Sequence, residues 1–297
     1  NHNVFEAEVS KKLLKQADAV WCEWALGNVV WYSKNIPDEI PLFVRYHSQE
    51  RKLKYLEESN RANIKNLSFV SPKLKEIALK LGQSVGVQNT SVIPNTLKPK
   101  VNVSLKNDNY SIGFVGLVPR SKRLDLAIEL LEELLKHDSR YKLKVAGNLP
   151  EHYSWMANRK EESEFFKSVF AKLNSNQLLK NRVEFFGHVD NMAEFYASVG
   201  HVISTSDFES FHMTLADGPL HGAAAHTLRW DGSDDIYDDL WLQDNVESMS
   251  DKIQRLNQSN ETGYHAYLQS MHLVPQMQKE RIALSILQAI MGGGKDE

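Results

Sequence analysis

The stretch STSDFESFHMTLADG, residues 204–218, holds the densest set of groups able to do chemistry. It follows an apolar run and opens a helix-like pattern. Ligands of open α/β sheets bind in such places, at the carboxyl end of a strand beside the free N–H groups of a helix N-terminus. The partial positive charge there attracts a diphosphate. Glu209 falls in the loop and Asp217 eight positions later, inside the helix. Both can then border one elongated ligand, and each carboxylate can accept two hydrogen bonds from vicinal sugar or ribose hydroxyls. The alternative is an acidic cap on the helix with an unrelated helix carboxylate behind it.

A second stretch, GLVPRSKR at 116–123, sets Gly116 at the end of a strand, where the chain can pass close to a ligand. Arg120, Lys122 and Arg123 crowd the strand-to-helix loop that follows. Three positive charges there can clamp two phosphates and stabilise a departing diphosphate as its charge grows. A merely solvated basic loop is the other reading. The segment lacks the GxxxxGK[ST] pattern of an NTPase P-loop. Third, RYHSQE puts His47 at the end of the strand PLFVRYH, from which it can face an interdomain cleft and bond a sugar hydroxyl. It can equally be a packing residue. Glu23 and Trp24 end the run WCEW in the same way, Trp24 serving either as an apolar plate for a sugar or as a core anchor.

Short β-rich runs alternate with longer helical patterns, which predicts parallel α/β units. In the first part helices are expected over Glu6–Gln16, Leu26–Ser33, Gln49–Asn60 and Pro72–Leu81, with strands at Ala19–Cys22, Pro41–His47, Leu67–Val70 and Ser91–Pro94. Residues 96–109, polar and without apolar periodicity, read as a linker. The second part restarts with strand Tyr110–Gly116 and helix Leu124–Leu135. Strands follow at Lys142–Ala146, Val183–Phe186, Val202–Ser204 and Ala225–Leu228, interleaved with helices at Glu161–Leu173, Met192–Ser198, Met213–Leu220 and Val246–Leu256. The tail from Tyr264 to Met291 reads as mostly helical. The expected division is a partial Rossmann-like domain over 1–96, a linker over 97–109, and a complete Rossmann-like domain with C-terminal helices over 110–297.

The chain has 297 residues, 42% hydrophobic and 25% charged, in the range of soluble globular proteins. It has no apolar stretch of about 18 residues that would cross a membrane. A lone cysteine, Cys22, fits a reducing, cytoplasmic compartment. The scattered histidines predict no metal site. The net charge of −3 divides unevenly: residues 1–107 carry 16 Lys and Arg against 10 Asp and Glu, and residues 108–297 carry 19 against 28. The basic first part can face anionic lipid at the inner membrane surface or an anionic acceptor, or be an ordinary solvated surface. No basic stripe interleaved with aromatics points to nucleic acid.

Taken in order, these residues resemble the group 1 family of retaining GT-B glycosyltransferases, also called family 4. The likeness is specific over 110–245 and weaker over 17–96. The family carries a Glu–x7–Glu segment after a strand. Here it runs from Glu209 to Asp217, with Ser210 and His212 where glycines are usual. The resemblance implies two Rossmann-like domains flanking a cleft. It lacks a counterpart of the family's N-terminal glycine-rich loop, which implies an incomplete first domain.

It further implies that Arg120 and Lys122 bind phosphate, and that Glu209 meets the donor sugar and Asp217 the ribose. Backbone N–H groups of Phe211, His212, Met213 and Thr214 would meet the diphosphate, and FFGHVD would lie along the base near His188 and Val189. The segment 230–239 would be a subfamily loop near the donor, VIPN at 92–95 an interdomain crossing, and His47 the cleft histidine. The activity implied is cofactor-free, metal-independent transfer of a hexose from a nucleoside-diphosphate sugar to a glycan or lipid-linked acceptor in surface polysaccharide synthesis, with Arg120, Lys122, Glu209 and His47 as the catalytic set. The rivals are a sugar-nucleotide epimerase or phosphorylase and an inactive glycan- or nucleotide-binding relative.

Overall fold

β-Branched and aromatic runs build two sheets, each wholly parallel among the paired strands. The computed structural model describes residues 6–96, 108–259, 263, 267 and 279–291. The first sheet contains β1 (Val20–Cys22), β2 (Leu42–Tyr46), β3 (Ile64–Phe69) and β4 (Thr90–Val92), in that order. Every residue of β2 is buried, as expected of a parallel strand covered on both faces. The helices of this part are α1 (Ala7–Leu14), α2 (Gly27–Asn35), α3 (Tyr55–Glu58) and α4 (Pro72–Lys80). Ser71 caps α4, its hydroxyl accepting from the Leu74 amide at 3.3 Å, and Pro72 occupies the first turn.

One element differs from expectation. Residues 49–60 form no continuous helix. A 3-10 turn over Ser48–Lys52 is followed by an extended Leu53 and then by the single turn α3. The cause is the buried carboxylate of Glu50, which accepts from the amides of His47 and Ala25 at 3.1–3.2 Å. That anchorage ties the segment to a distant loop and closes a turn too tight to propagate as an α-helix.

The second sheet contains β5 (Ser111–Val115), β6 (Lys142–Ala146), β7 (Val183–Gly187), β8 (His201–Ser204), β9 (Ala224–Leu228) and β10 (Leu242–Gln243), in the order β10-β9-β8-β5-β6-β7. Strands are added on one side of β5 and then, from β8 on, on the other. This is the doubly wound Rossmann order, with its topological switch point between β5 and β8. The accompanying helices are α5 (Leu124–His137), α6 (Lys160–Ser175), α7 (Gln177–Lys180), α8 (Met192–Ala197), α9 (Met213–Leu220) and α10 (Val246–Gln258). The apolar stripe of α5, from Leu124 to Leu134, packs into one core with Ile112, Leu143, Val145, Ile203 and the inner face of α10.

α9 lies unusually close to β8 because of Gly218. A Cβ added there would stand 2.3 Å from Cγ2 of the buried Val202. Val202 is stiff at χ1 and cannot swing aside. Gly218→Ala is therefore expected to destabilise the protein by about 2 kcal/mol, read as a lowered melting temperature.

The last helix, α11 (Lys279–Met291), departs from the expected division. The chain forms one unit of Asn1–Thr96 with Pro275–Glu297 and another of Leu97–Val274. The tail thus groups with the first unit, where Ile290 and Met291 share a hollow with Ile36, Pro37 and Ile40. Of the expected linker, residues 97–107 lie outside those described. So do most of the tail ahead of α11 and the last six residues.

Candidate functional site

Two loops meet at the switch point of the second sheet, one leaving β5 and the other leaving β8. Gly116 ends the first strand at φ +78°, and a Cβ there would already touch Cε of Lys122 at 3.8 Å. Gly147, after β6, would bring a Cβ within 3.3 Å of the Gly116 Cα. Glycine at both places lets the two turns lie backbone to backbone.

The loops are stitched together. The Thr205 hydroxyl donates to the carbonyls of Lys122 (3.0 Å) and Arg123 (2.8 Å), and the Asp207 amide donates to the Ser121 carbonyl (2.8 Å). This lattice brings Nζ of Lys122 to 2.5 Å from Oε1 of Glu209, which also accepts from the Ser206 hydroxyl at 2.8 Å. The side chains of the pair are 22% and 15% exposed, so neither is wholly shut off from solvent. Burial pushes the Glu209 carboxyl up, but electrostatic coupling to His212 and Lys122 and hydrogen bonds from Lys122 and Ser206 outweigh it and hold the carboxyl below its usual range.

Immediately after Glu209 the chain turns into α9 through His212, whose backbone is left-handed at φ 54°. The Tyr237 hydroxyl donates to the carbonyls of Phe211 (2.7 Å) and His212 (3.0 Å) and clamps this turn. Phe211 is buried, Met213 half-buried, and the hydroxyl of buried Thr214 bonds to Tyr196. The first-turn amides of α9, which have no intrahelical acceptors, thus begin where the Lys122–Glu209 pair ends. Asp217 lies half-buried one turn further along α9.

The other expected cation does not join them. The Arg120 guanidinium pairs with Glu161 at 2.6 Å, and its amide donates to Glu162 at 2.8 Å. Both acids stand in the first turn of α6, where a helix favours negative charge. Arg123 is held by Asp125 and Asp207. His188 and Val189 follow Gly187 at the end of β7. His188 is exposed, 3.3 Å from Asp190, and Val189 is half-buried.

In the first unit, His47 ends β2 with Nε2 3.2 Å from the Glu23 carboxylate, and its ring stacks on Trp24 at 3.8 Å between centroids. Buried Arg45 bonds Glu23 at 2.6 Å and the Asn95 side chain at 2.7 Å. Sequence reasoning passed over Arg45, although an arginine inside an otherwise apolar strand signals a paired buried charge. It also passed over Ser206, Thr205 and Tyr237, which carry no such signal. Among the described residues, no three His, Cys, Asp or Glu side chains are grouped to hold a metal ion, and no helix is long and apolar enough to cross a membrane.

The family model described as "Glycosyl transferases group 1" matches residues 109–259, just over half of the chain. The chain belongs to this family. Its group 1 segment contains both loops of the site and all of β5 to β10. The structure is similar to that of TarM, with a TM-score of 0.74 and 18% identity over 95% of this chain and 57% of that one. It is also similar to Anabaena Alr3699/HepE, solved with UDP and glucose, at 0.69 and 15% over 96% and 82%. The pneumococcal O-GlcNAc transferase GtfA, solved with UDP and GlcNAc, follows at 0.64 and 14% over 97% and 60%. These likenesses establish a shared GT-B fold of two Rossmann-like parts. The chain spans a little over half the length of TarM. No curated protein matches it.

Proposed function

We propose that the protein transfers a hexose from a nucleoside-diphosphate sugar to a glycan or lipid-linked acceptor, with retention at the anomeric carbon and without a metal. The observation that carries this reading is the Lys122–Glu209 pair at the switch point, against the start of α9. In the transfer, the bond from anomeric carbon to diphosphate oxygen breaks, an acceptor oxygen bonds to that carbon, and the acceptor's proton leaves with the diphosphate. Lys122 neutralises the departing charge, helped by the amides from Phe211 to Thr214. Glu209 takes the sugar hydroxyls and Asp217 the ribose, and the stretch around His188 and Val189 takes the base. Arg120 is assigned no part, since Glu161 holds it.

The first unit's cluster of His47, Trp24 and Glu23 offers a ring face, an imidazole and a carboxylate suited to an acceptor's hydroxyls. The basic excess of the first part supports a peripheral place at an anionic membrane face, where lipid-linked acceptors lie.

UDP, GDP, ADP and their glucose conjugates, tested by thermal shift, check the reading. At about 100 times its dissociation constant the right ligand stabilises by roughly 2.7 kcal/mol. A melting temperature indifferent to all six refutes nucleotide-sugar binding, and binding without transfer to any acceptor would identify an inactive relative.

A further inference from the structure

His212 is a discordant residue in an otherwise well-satisfied site. Its side chain is 6% exposed, and neither ring nitrogen has a hydrogen-bond partner. Each buried orphan of this kind costs about 1–3 kcal/mol. Its backbone is left-handed, a conformation uncommon for residues other than glycine. The ring lies among Glu209, Lys122 and the indole of Trp230, whose Nε1 is itself buried and unpartnered. Of these groups, Glu209 has its Oε1 3.9 Å from Nδ1 of His212. That gap is too long for a hydrogen bond and short enough for a small rotation to close it.

Lys122 and Ser206 both donate to this same Oε1. A diphosphate arriving beside the pair competes for Lys122. If Lys122 turns to it, a largely buried carboxylate loses its cation, which is costly unless another donor replaces it.

We propose that His212 is the positioning residue for Glu209: as Lys122 turns to the diphosphate, the Nδ1–H of His212 takes over the carboxylate and holds it toward the sugar hydroxyls. The role rests on the nucleotide-sugar reading above. Burial keeps the imidazole neutral near pH 7, its pKa pushed down to about 4, so it serves as a dipolar donor and adds no charge of its own. That hydrogen bond gives the buried Nδ1 an acceptor.

The test compares the native chain with His212→Gly and His212→Asn. Both residues tolerate the left-handed turn, and asparagine sets an amide close to where Nδ1 stands. Affinities are measured for UDP, GDP and ADP and for the glucose conjugate of each. Bare nucleotide brings the same diphosphate to Lys122, so its affinity serves as the reference within each protein. The affinity for the sugar conjugate relative to the bare nucleotide is expected to fall about tenfold in His212→Gly, the scale of one hydrogen bond to a charged group, and to recover in His212→Asn. An unchanged ratio in His212→Gly overturns the positioning role and leaves the nucleotide-sugar reading standing. A native protein that binds none of the six ligands overturns that reading, and the role with it. A second measurement needs no ligand. In Lys122→Met the carboxylate has lost its cation, so the His212 ring, followed by NMR, is expected to titrate at higher pH than in the native chain. The same midpoint in both would overturn the proposal.

Discussion

Lys122→Ala is expected to lower turnover of a nucleoside-diphosphate sugar by about 100-fold or more, on the scale of removing one preorganised donor to a developing anion. The loop that carries Lys122 is fixed by three hydrogen bonds to the loop that carries Glu209, so the ammonium is placed before any ligand arrives. Preorganisation of that kind makes a single charge worth more than it would be in water. Its cationic neighbours are paired with other acids, Arg120 with Glu161 and Arg123 with Asp125 and Asp207. The variant also leaves Glu209 without its cation, so circular dichroism and the melting temperature must accompany the rate. The melting temperature of Lys122→Ala/Glu209→Gln against that of Lys122→Ala isolates the cost of a stranded carboxylate. An unchanged rate in a folded Lys122→Ala protein removes the residue from the mechanism.

Stability is expected to fall steeply as the pH drops from about 6.5 to 4. Within the second unit His201 is buried between His226 and Asn257, with Nδ1 3.0 Å from Nε2 of His226 and Nε2 3.0 Å from Oδ1 of Asn257. Asn257 in turn donates to the Asn109 carbonyl and the Tyr141 hydroxyl. This chain fixes the tautomers: His201 gives its proton to Asn257 and receives one from His226. Protonating His201 would set donor against donor, and protonating His226 would put a charge on a buried Nδ1 that has no acceptor.

Burial holds His201 and His212 at about 4, and His226 also falls well below its ordinary value. Between pH 6.5 and 4 the unfolded chain therefore binds protons that the folded chain refuses, so stability rises with pH across that window and is fully present above it. Each ring with a folded value near 4 contributes about 3 kcal/mol at neutral pH, lost on acidification. Glu209, lowered by its partners, loses its contribution as the pH falls through its own depressed value, which extends the decline at the acid end. Urea unfolding at pH 7.5, 6, 5 and 4.5 measures the slope. A flat profile over that range would show that the rings are not neutral in the folded protein.

The two loops of the site were legible because Gly116 and Ser204 close apolar runs and helical patterns follow at once. A Rossmann order then brings the ends of β5 and β8 side by side, and Lys122 meets Glu209. The fate of Arg120 was not legible. It depends on where α6 begins, some forty residues on, and on two acids that look like ordinary first-turn charges. The break in residues 49–60 was hidden for a related reason, since Glu50 is spent on an amide of Ala25, far off in sequence. β10 has only two residues, too few to show alternation, and takes its form from pairing with β9. His212 could be read as a departure from glycine but not as a ring with two idle nitrogens, because only packing reveals an empty partner.

The grouping of the final residues with the opening ones means the first unit is written in two pieces, and the polypeptide passes between units twice, near 96 and near 274. A single cut at either place therefore frees neither unit whole. Producing the first one alone would require splicing residue 96 to residue 275, whereas the second can be excised as one uninterrupted segment. Deleting α11 would remove side chains that line a hollow beside Ile36 and Pro37, so a change in that helix would register among residues more than 200 positions earlier.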